Sequence, residues 1–538
     1  MLKETVMILR DDLTIGKLLR ETAARYPERP AVKSRTAELS YRLLDEAVDI
    51  AARRLISCGI KKGDHVGTLC ETQIAEVVIY YALARIGAVN VMFNTSLKAA
   101  ELRDLIIRSD VSVLLAGSGY RGVNFPDLVR NIRRSCPVLK DVLLIGDGCA
   151  EDFRHLDSIE PCSEEALAAA EAAVLPSDTA QILFTSGTTS DPKMVMGSHY
   201  SRANCGRFQA KDLGAGCEDV FLGALPLFHC FSISVNIMAA CSVGACLVLP
   251  ASRRTSVLLS DIRDFKCTVF SSVPTLFFAI IRRPDFASWD VSSIRTGFIG
   301  GSSYSKSQFE EIEKSFGMTL LSSLGQTEST AGTTTSDLTD DLEVRATTLG
   351  HMMDYVEGRI ADPDTNATLP AGEQGEICVR GYIVMQGYYK DPEATARAID
   401  SEGWLHTGDW GWFGEDGYLR LSGRLKELII RGGENISPVE IQNAAYEVPS
   451  VRTCKAVGVP DPHYGEEICL CVAGQKGSEI TENAIRAHLS EVLSEYKQPR
   501  YILFFRELPV KNTGKIDNVK LRKEACDRLG IELPEAQA

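Results

Sequence analysis

Residues 183–193, LFTSGTTSDPK, run from an apolar strand into a hydroxyl- and glycine-rich turn that closes on a lysine. Small residues let backbone N–H groups approach an anion. Thr185, Ser186, Thr188 and Thr189 add hydroxyl donors around Gly187, and Lys193 adds charge. The turn suits phosphate oxygens, although it lacks the GxxxxGK[ST] spacing of a Walker loop. A Ser/Thr turn standing alone is more often simply solvated.

It does not stand alone. LPLFH (225–229), GGSS (300–303), GQTE (325–328), GWLHTGD (403–409), GRLKELIIRGGEN (423–435) and NTGK (512–515) follow in order. Taken singly, each has a bland reading: a histidine beside apolar residues is usually a satisfied core residue. A TGD turn, a strand-end arginine or one more surface lysine is more often structural than catalytic.

In this order, across almost the whole chain, the segments resemble the adenylate-forming superfamily of acyl-CoA synthetases, aryl-CoA ligases, luciferases and peptide-synthetase adenylation domains. That family's phosphate loop reads approximately TSGTTGxPKG. The resemblance implies an ATP site built from Thr185, Ser186, Gly187, Thr188, Thr189, Lys193, Gly301, Ser302, Leu324, Gly325, Gln326 and Thr327. Glu328 matches the acidic residue used near magnesium and the phosphates, a role suited to a hard oxygen ligand. Asp409 matches the carboxylate that accepts from both ribose hydroxyls, and Arg424 the arginine that contacts ribose or phosphate. Lys515 resembles the mobile catalytic lysine placed between the acid and the α-phosphate, where its charge stabilises the developing phosphoryl centre.

The same resemblance makes Lys426 a hinge and Gly432, Gly433 and Glu434 the loop that enters the site for the thioester step. His229 is similar to the residue that closes the acid pocket, with Phe231, Ser232, Val235 and Ala331 as pocket wall. The implied reaction has two steps. A carboxylate attacks the α-phosphate of MgATP to give acyl-AMP and pyrophosphate, and a thiol then displaces AMP. Coenzyme A is the expected acceptor, with a carrier protein's phosphopantetheine as the alternative. The mixed apolar and small polar wall makes a medium-chain aliphatic or aryl acid the expected substrate, and the lack of an aspartate near Phe231-Ser232 to hold an α-ammonium argues against an amino acid. Ser190, Met194 and Leu324 depart from the family pattern and motivate a third reading, a nucleotide-binding protein with degraded catalysis.

Positioning these segments calls for an α/β scaffold. VGTLC (66–70), VSVLLAG (111–117), DVLLIG (141–146), CLVLP (246–250), CTVFSSV (267–273) and RTGFIGG (295–301) read as buried parallel strands separated by helix-length segments, the pattern of doubly wound layers. Beyond about residue 345, Gly-punctuated alternation predicts an antiparallel sheet or small β-barrel. A smaller, mobile α+β domain follows. The expected division is 1–425 for adenylation and 426–538 for the domain carrying Lys515.

Composition excludes several classes. With 58 Lys plus Arg against 72 Asp plus Glu, the net charge of −14 repels nucleic acid. Sixteen scattered cysteines without CxxC clusters read as reduced thiols in the cytoplasm. The N-terminus lacks the apolar core of a secretory signal. Residues 220–250 carry no formal charge and are long enough to span a bilayer, but Pro226, His229 and Asn236 break the run into loop, short helix and buried strand. No integral membrane segment is expected.

Overall fold

In the computed structural model, residues 7–185, 192–302, 304–432, 434–475, 480–510 and 516–533 are described, Asn435 by its backbone alone. Helix Ile15–Arg25 shows why the local sequence folds as it does. Thr14 caps it by accepting from Lys17 N, and Ile15, Leu18, Leu19, Thr22 and Ala23 fall on one buried face. Helix Tyr41–Ser57 is capped by Ser40 in the same way.

The first sheet has eight strands, in the order 387–388, 193–198, 179–185, 89–92, 65–69, 113–116, 141–144, 154–155. Its middle strands are parallel and buried, which is why they read as apolar runs rather than alternating ones. The chain enters at 65–69, adds 89–92 on one side and 113–116 on the other, so the winding reverses there.

The second layer orders strands 38–40, 30–33, 246–248 and 220–222, continues through a bridge at Val269, and ends with 296–299, 319–324, 334–335 and 351–352. The CTVFSSV run is not a continuous strand. It contributes isolated bridges at Val269 and Ser272. The uncharged segment is helical from Cys230 to Val243, π-helical over Ile233–Met238, and stops at Gly244 in the left-handed region (φ 75°) before strand Cys246–Val248. Among the described residues, no helix is long and apolar enough to cross a membrane.

Strands Val356–Ala361, Gly375–Gly381, Leu405–Phe413 and Leu419–Arg424 form an antiparallel sheet in that order. Of the two expected forms, this is the open sheet. The chain then builds a smaller domain from strands 434–436, 429–431, 465–474, 451–461 and 501–505, with helices Pro438–Tyr446, Glu482–Val492 and Asn518–Leu529 packed on it. Its core is its own, with Ile429, Ile441, Leu470, Ile485 and Leu489 fully buried.

Candidate active site

Asp409 lies across from Arg424 on neighbouring antiparallel strands, and Arg424 Nε donates to Asp409 Oδ1 at 2.7 Å. The aspartate is buried while the arginine is half-exposed. Burial, opposed by Arg424 and reinforced by Glu328, Glu427 and Glu376, pushes the Asp409 pKa up to about 6. The turn before it is braced at every residue. Thr407 Oγ1 accepts from Asp409 N at 3.1 Å and donates to Ile377 O at 2.6 Å. Gly408 N donates to Glu376 Oε1 at 2.9 Å, and the other oxygen of Glu376 meets His406 Nδ1 at 2.8 Å.

Glu376, Cys378 and His406 bring three metal-ligand types within 4.8 Å of one another. Ligands of a tetrahedral zinc stand roughly 3.3 Å or more apart, and the 2.8 Å contact is a direct hydrogen bond instead. Burial also pushes the Cys378 thiol up to about 12, so it stays protonated. In this arrangement the cluster braces the turn.

Glu328 sits in the 3-10 turn Thr327–Ser329, and Tyr388 OH donates to its Oε1 at 3.0 Å. Lys193 Nζ stands 4.3 Å from the Tyr388 ring centroid, a cation–π contact. Burial and Glu328 raise the Tyr388 pKa, which keeps the phenol a neutral donor. Tyr388 reaches this place because Val195 pairs with it at the sheet edge. Thr185 pairs with Lys193, so the two ends of the phosphate turn are held side by side. Gln326 Nε2 lies 3.5 Å from Thr407 O, joining the GQTE and TGD segments. A carboxylate with one oxygen held by a phenol fits the way magnesium is usually bound, through one or two carboxylates plus substrate phosphates.

Gly325 is required sterically, since a Cβ there would stand 2.6 Å from Ala331 O. Gly301 (φ 80°) and Ser302 are exposed beyond strand Thr296–Ile299. Leu324 is half-buried against the cluster of Phe208 and Met353. Met194 is a core residue of strand 193–198, packed with Ile182 and Phe93, which accounts for its departure from glycine. Ser186, Gly187, Thr188, Thr189, Ser190, Gly433 and Lys515 lie outside the described residues.

On the acid side, His229 flanks the helix start with its ring 4.5 Å from Phe228, and Cys230 Sγ lies 3.5 Å from Thr327 Oγ1. Phe231 is half-buried. Ser232 and Val235 are fully buried. The serine hydroxyl donates to Leu225 O at 3.1 Å and accepts from Asn236 at 3.2 Å, and the valine belongs to the main core. Thr330 and Ala331 both adopt left-handed backbone (φ 58° and 64°), which costs about 1 kcal/mol or more per non-glycine residue. The strain is held by Ser234 donating to Thr330 O at 2.9 Å, Gln209 to Ala331 O at 3.0 Å and Thr330 to Ile383 O at 2.6 Å.

Lys426 is exposed in the turn Leu425–Glu427. Its neighbour Glu427 is held by Lys455 at 3.1 Å and Asn518 at 2.7 Å, and Ser437 Oγ donates to Ser422 O. Gly432 turns left-handed (φ 62°), its N–H donating to Tyr464 O at 2.8 Å, and Glu434 is exposed. Sequence reasoning missed Tyr388, Glu376 and His406 as supports of the site. Only the fold brings them to it.

The AMP-binding enzyme family model matches residues 19–389, and the model of the AMP-binding enzyme C-terminal domain matches 440–515. YngI of Bacillus subtilis (strain 168), whose name assigns it provisionally to the acyl-CoA synthetases, is 34% identical over 96% of this chain and 98% of its own. The human mitochondrial medium-chain acyl-CoA ligase ACSF2 is 31% identical over 96% of this chain and 88% of its own. The crystal structure of the anthranilate CoA ligase AuaEII in complex with anthranoyl-AMP superposes with a TM-score of 0.86 at 25% identity, covering 97% of this chain and 99% of that one. With both family models matched and relatives spanning nearly its full length, the chain belongs to the AMP-binding enzyme family.

Proposed function

We propose that the protein activates a carboxylic acid with ATP and transfers the acyl group to coenzyme A, releasing pyrophosphate and AMP. The observation that carries this reading is the convergence of the buried Asp409–Arg424 pair with the Lys193–Tyr388–Glu328 chain beside the His229 helix. The names of the relatives support the acceptor.

Asp409 receives the ribose hydroxyls, and Arg424 both holds that carboxylate and reaches ribose or phosphate. Lys193 and the 185–189 turn hold the phosphate oxygens. Glu328 would hold magnesium, which neutralises phosphate charge when bound. The acid lies against His229, Phe231 and Ala331 with its carboxylate toward the α-phosphate, where Lys515 stabilises the charge that develops as it attacks. Residues 426–538 then swing about Lys426, replacing Lys515 by the Gly432–Glu434 loop, whose glycines admit the pantetheine arm. Relatives named for medium-chain and anthranilate ligases favour a medium-chain aliphatic or aryl acid.

The test is pyrophosphate release with MgATP across aliphatic, aryl and amino acids, each with and without coenzyme A. Turnover that requires coenzyme A, with AMP and acyl-CoA formed together, is the expected result. Failure to form those two products together from any acid overturns the proposal, and turnover indifferent to coenzyme A transfers the acceptor role to a carrier protein.

A further inference from the structure

Helix His199–Asp212 buries a cation that has no counter-charge among the described residues. Arg202 is 0% exposed, and the groups that bear on its charge are Cys230, Tyr80 and Cys205, two thiols and a phenol. Its Nε–Nη2 edge faces Gly197, where a Cβ would stand 2.8 Å from both nitrogens. With the Gln181 amide oxygen turned toward it, Gln181 accepts from Nε at 2.9 Å and from Nη2 at 3.3 Å, and its amide nitrogen donates to Tyr80 OH at 3.2 Å. Nη1 is buried without an acceptor among the described residues. A lone guanidinium out of water is one of the costliest groups a fold can bury, and the cost is relieved by an anion in bidentate geometry.

Its neighbours place it behind the acid side of the cleft. Cys205 Sγ donates to Thr330 O at 3.4 Å and lies beneath Gly332. Cys230 follows His229 and touches Thr327. Gln181 precedes Thr185 by four residues on one strand, so the guanidinium stands about 13 Å along that strand from its phosphate end.

We propose that Arg202 anchors a second, distal carboxylate on the acid substrate, so that the preferred class is an α,ω-dicarboxylic acid of medium length. This rests on the acid-activating reading above. One carboxylate lies at the α-phosphate. The other extends past the Cys230 thiol to Nη1, the guanidinium nitrogen left without an acceptor among the described residues. A methyl-ended acid of the same length leaves Nη1 unpaired and is rejected for that reason.

The test is calorimetric titration of the full-length protein, with α,β-methylene ATP bound, using pairs of acids of equal length, one methyl-ended and one ω-carboxylate. Wild type is expected to bind the ω-carboxylate member at least tenfold tighter. Arg202→Met, which fills similar volume without charge, is expected to lose that preference. A wild type that favours the methyl-ended member at every length overturns the proposal, and so does a preference that survives Arg202→Met. The wild-type comparison decides even if the variant fails to fold. Pyrophosphate release is read separately: tight, selective binding without turnover would overturn the ligase reading and leave the anchor standing.

Discussion

The nucleotide side and the acid side of the cleft are built on different principles. Around Asp409 and Glu328, the described side chains that brace the site hold one another. Arg424, Thr407 and Tyr388 hold the two segments, and Glu376 pins the Gly408 amide. Around Ala331 the backbone runs through consecutive left-handed residues, the facing helix is π-helical, and buried polar atoms such as Gln209 Oε1 and Arg202 Nη1 lack partners among the described residues. A chemistry common to every substrate rewards a rigid, satisfied scaffold. A pocket that must select one acid keeps its irregularities, because those are where a ligand contributes what the fold does not.

The largest break in this comparison comes from Lys515→Ala, expected to lower pyrophosphate release by about 10²–10³-fold. Supplying preformed acyl-AMP restores acyl-CoA formation if the lysine serves the first step only, and quenched-flow separation of the two half-reactions checks this. Next, Asp409→Asn should raise the KM for ATP about 10- to 100-fold by removing charge-assisted acceptors, with the KM for acid little changed. Wild type should lose ATP affinity as the pH falls below about 6, where Asp409 protonates, and the variant should show no such dependence. Folding stability runs the other way. The raised pKa means that the Asp409 contribution is fully present below the usual value of 3.8 and is lost as the pH rises through about 6. Urea melts at stepped pH values, compared with Asp409→Asn, measure it.

Tyr388→Phe keeps the ring under Lys193 but removes the bond to Glu328, so kcat/KM for ATP should drop about tenfold. The smallest effect sharpens the contrast. Ser232→Ala should cost about 1 kcal/mol of stability without altering acid selectivity, since its hydroxyl is already committed to Leu225 and Asn236. A change in the acid profile would return Ser232 to the pocket wall.

The sequence made the ordered motifs legible because their spacing along the chain mirrors their convergence in space. The doubly wound layers followed from uninterrupted apolar strands, and the hydrophobic 220–250 run was recognised as internal from its polar interruptions. Other parts left no local trace. Tyr388 lies in GYYK, a segment with nothing to link it to Glu328 until Val195 pairs with it. Ser232 and Val235 belong to a helix without a polar face, so periodicity does not tell which side meets the cleft. Helix His199–Asp212 carries five polar or charged residues among its buried positions, which disguises a core helix as a surface one.

The pairing of Val195 with Tyr388 also bears on how the protein is made. Until residue 388 has been synthesised, strand 193–198 is an open sheet edge, with Met194 O and Met196 O lacking the amides of Tyr389 and Gln386 that cover them in the finished fold. Translation needs roughly 10–40 s to cross the intervening stretch. During that interval the nascent chain carries an uncapped, apolar edge that nucleotide cannot protect, because the residues that would grip it have yet to leave the ribosome. A chain terminated shortly before Gly387 is therefore expected to aggregate through that edge.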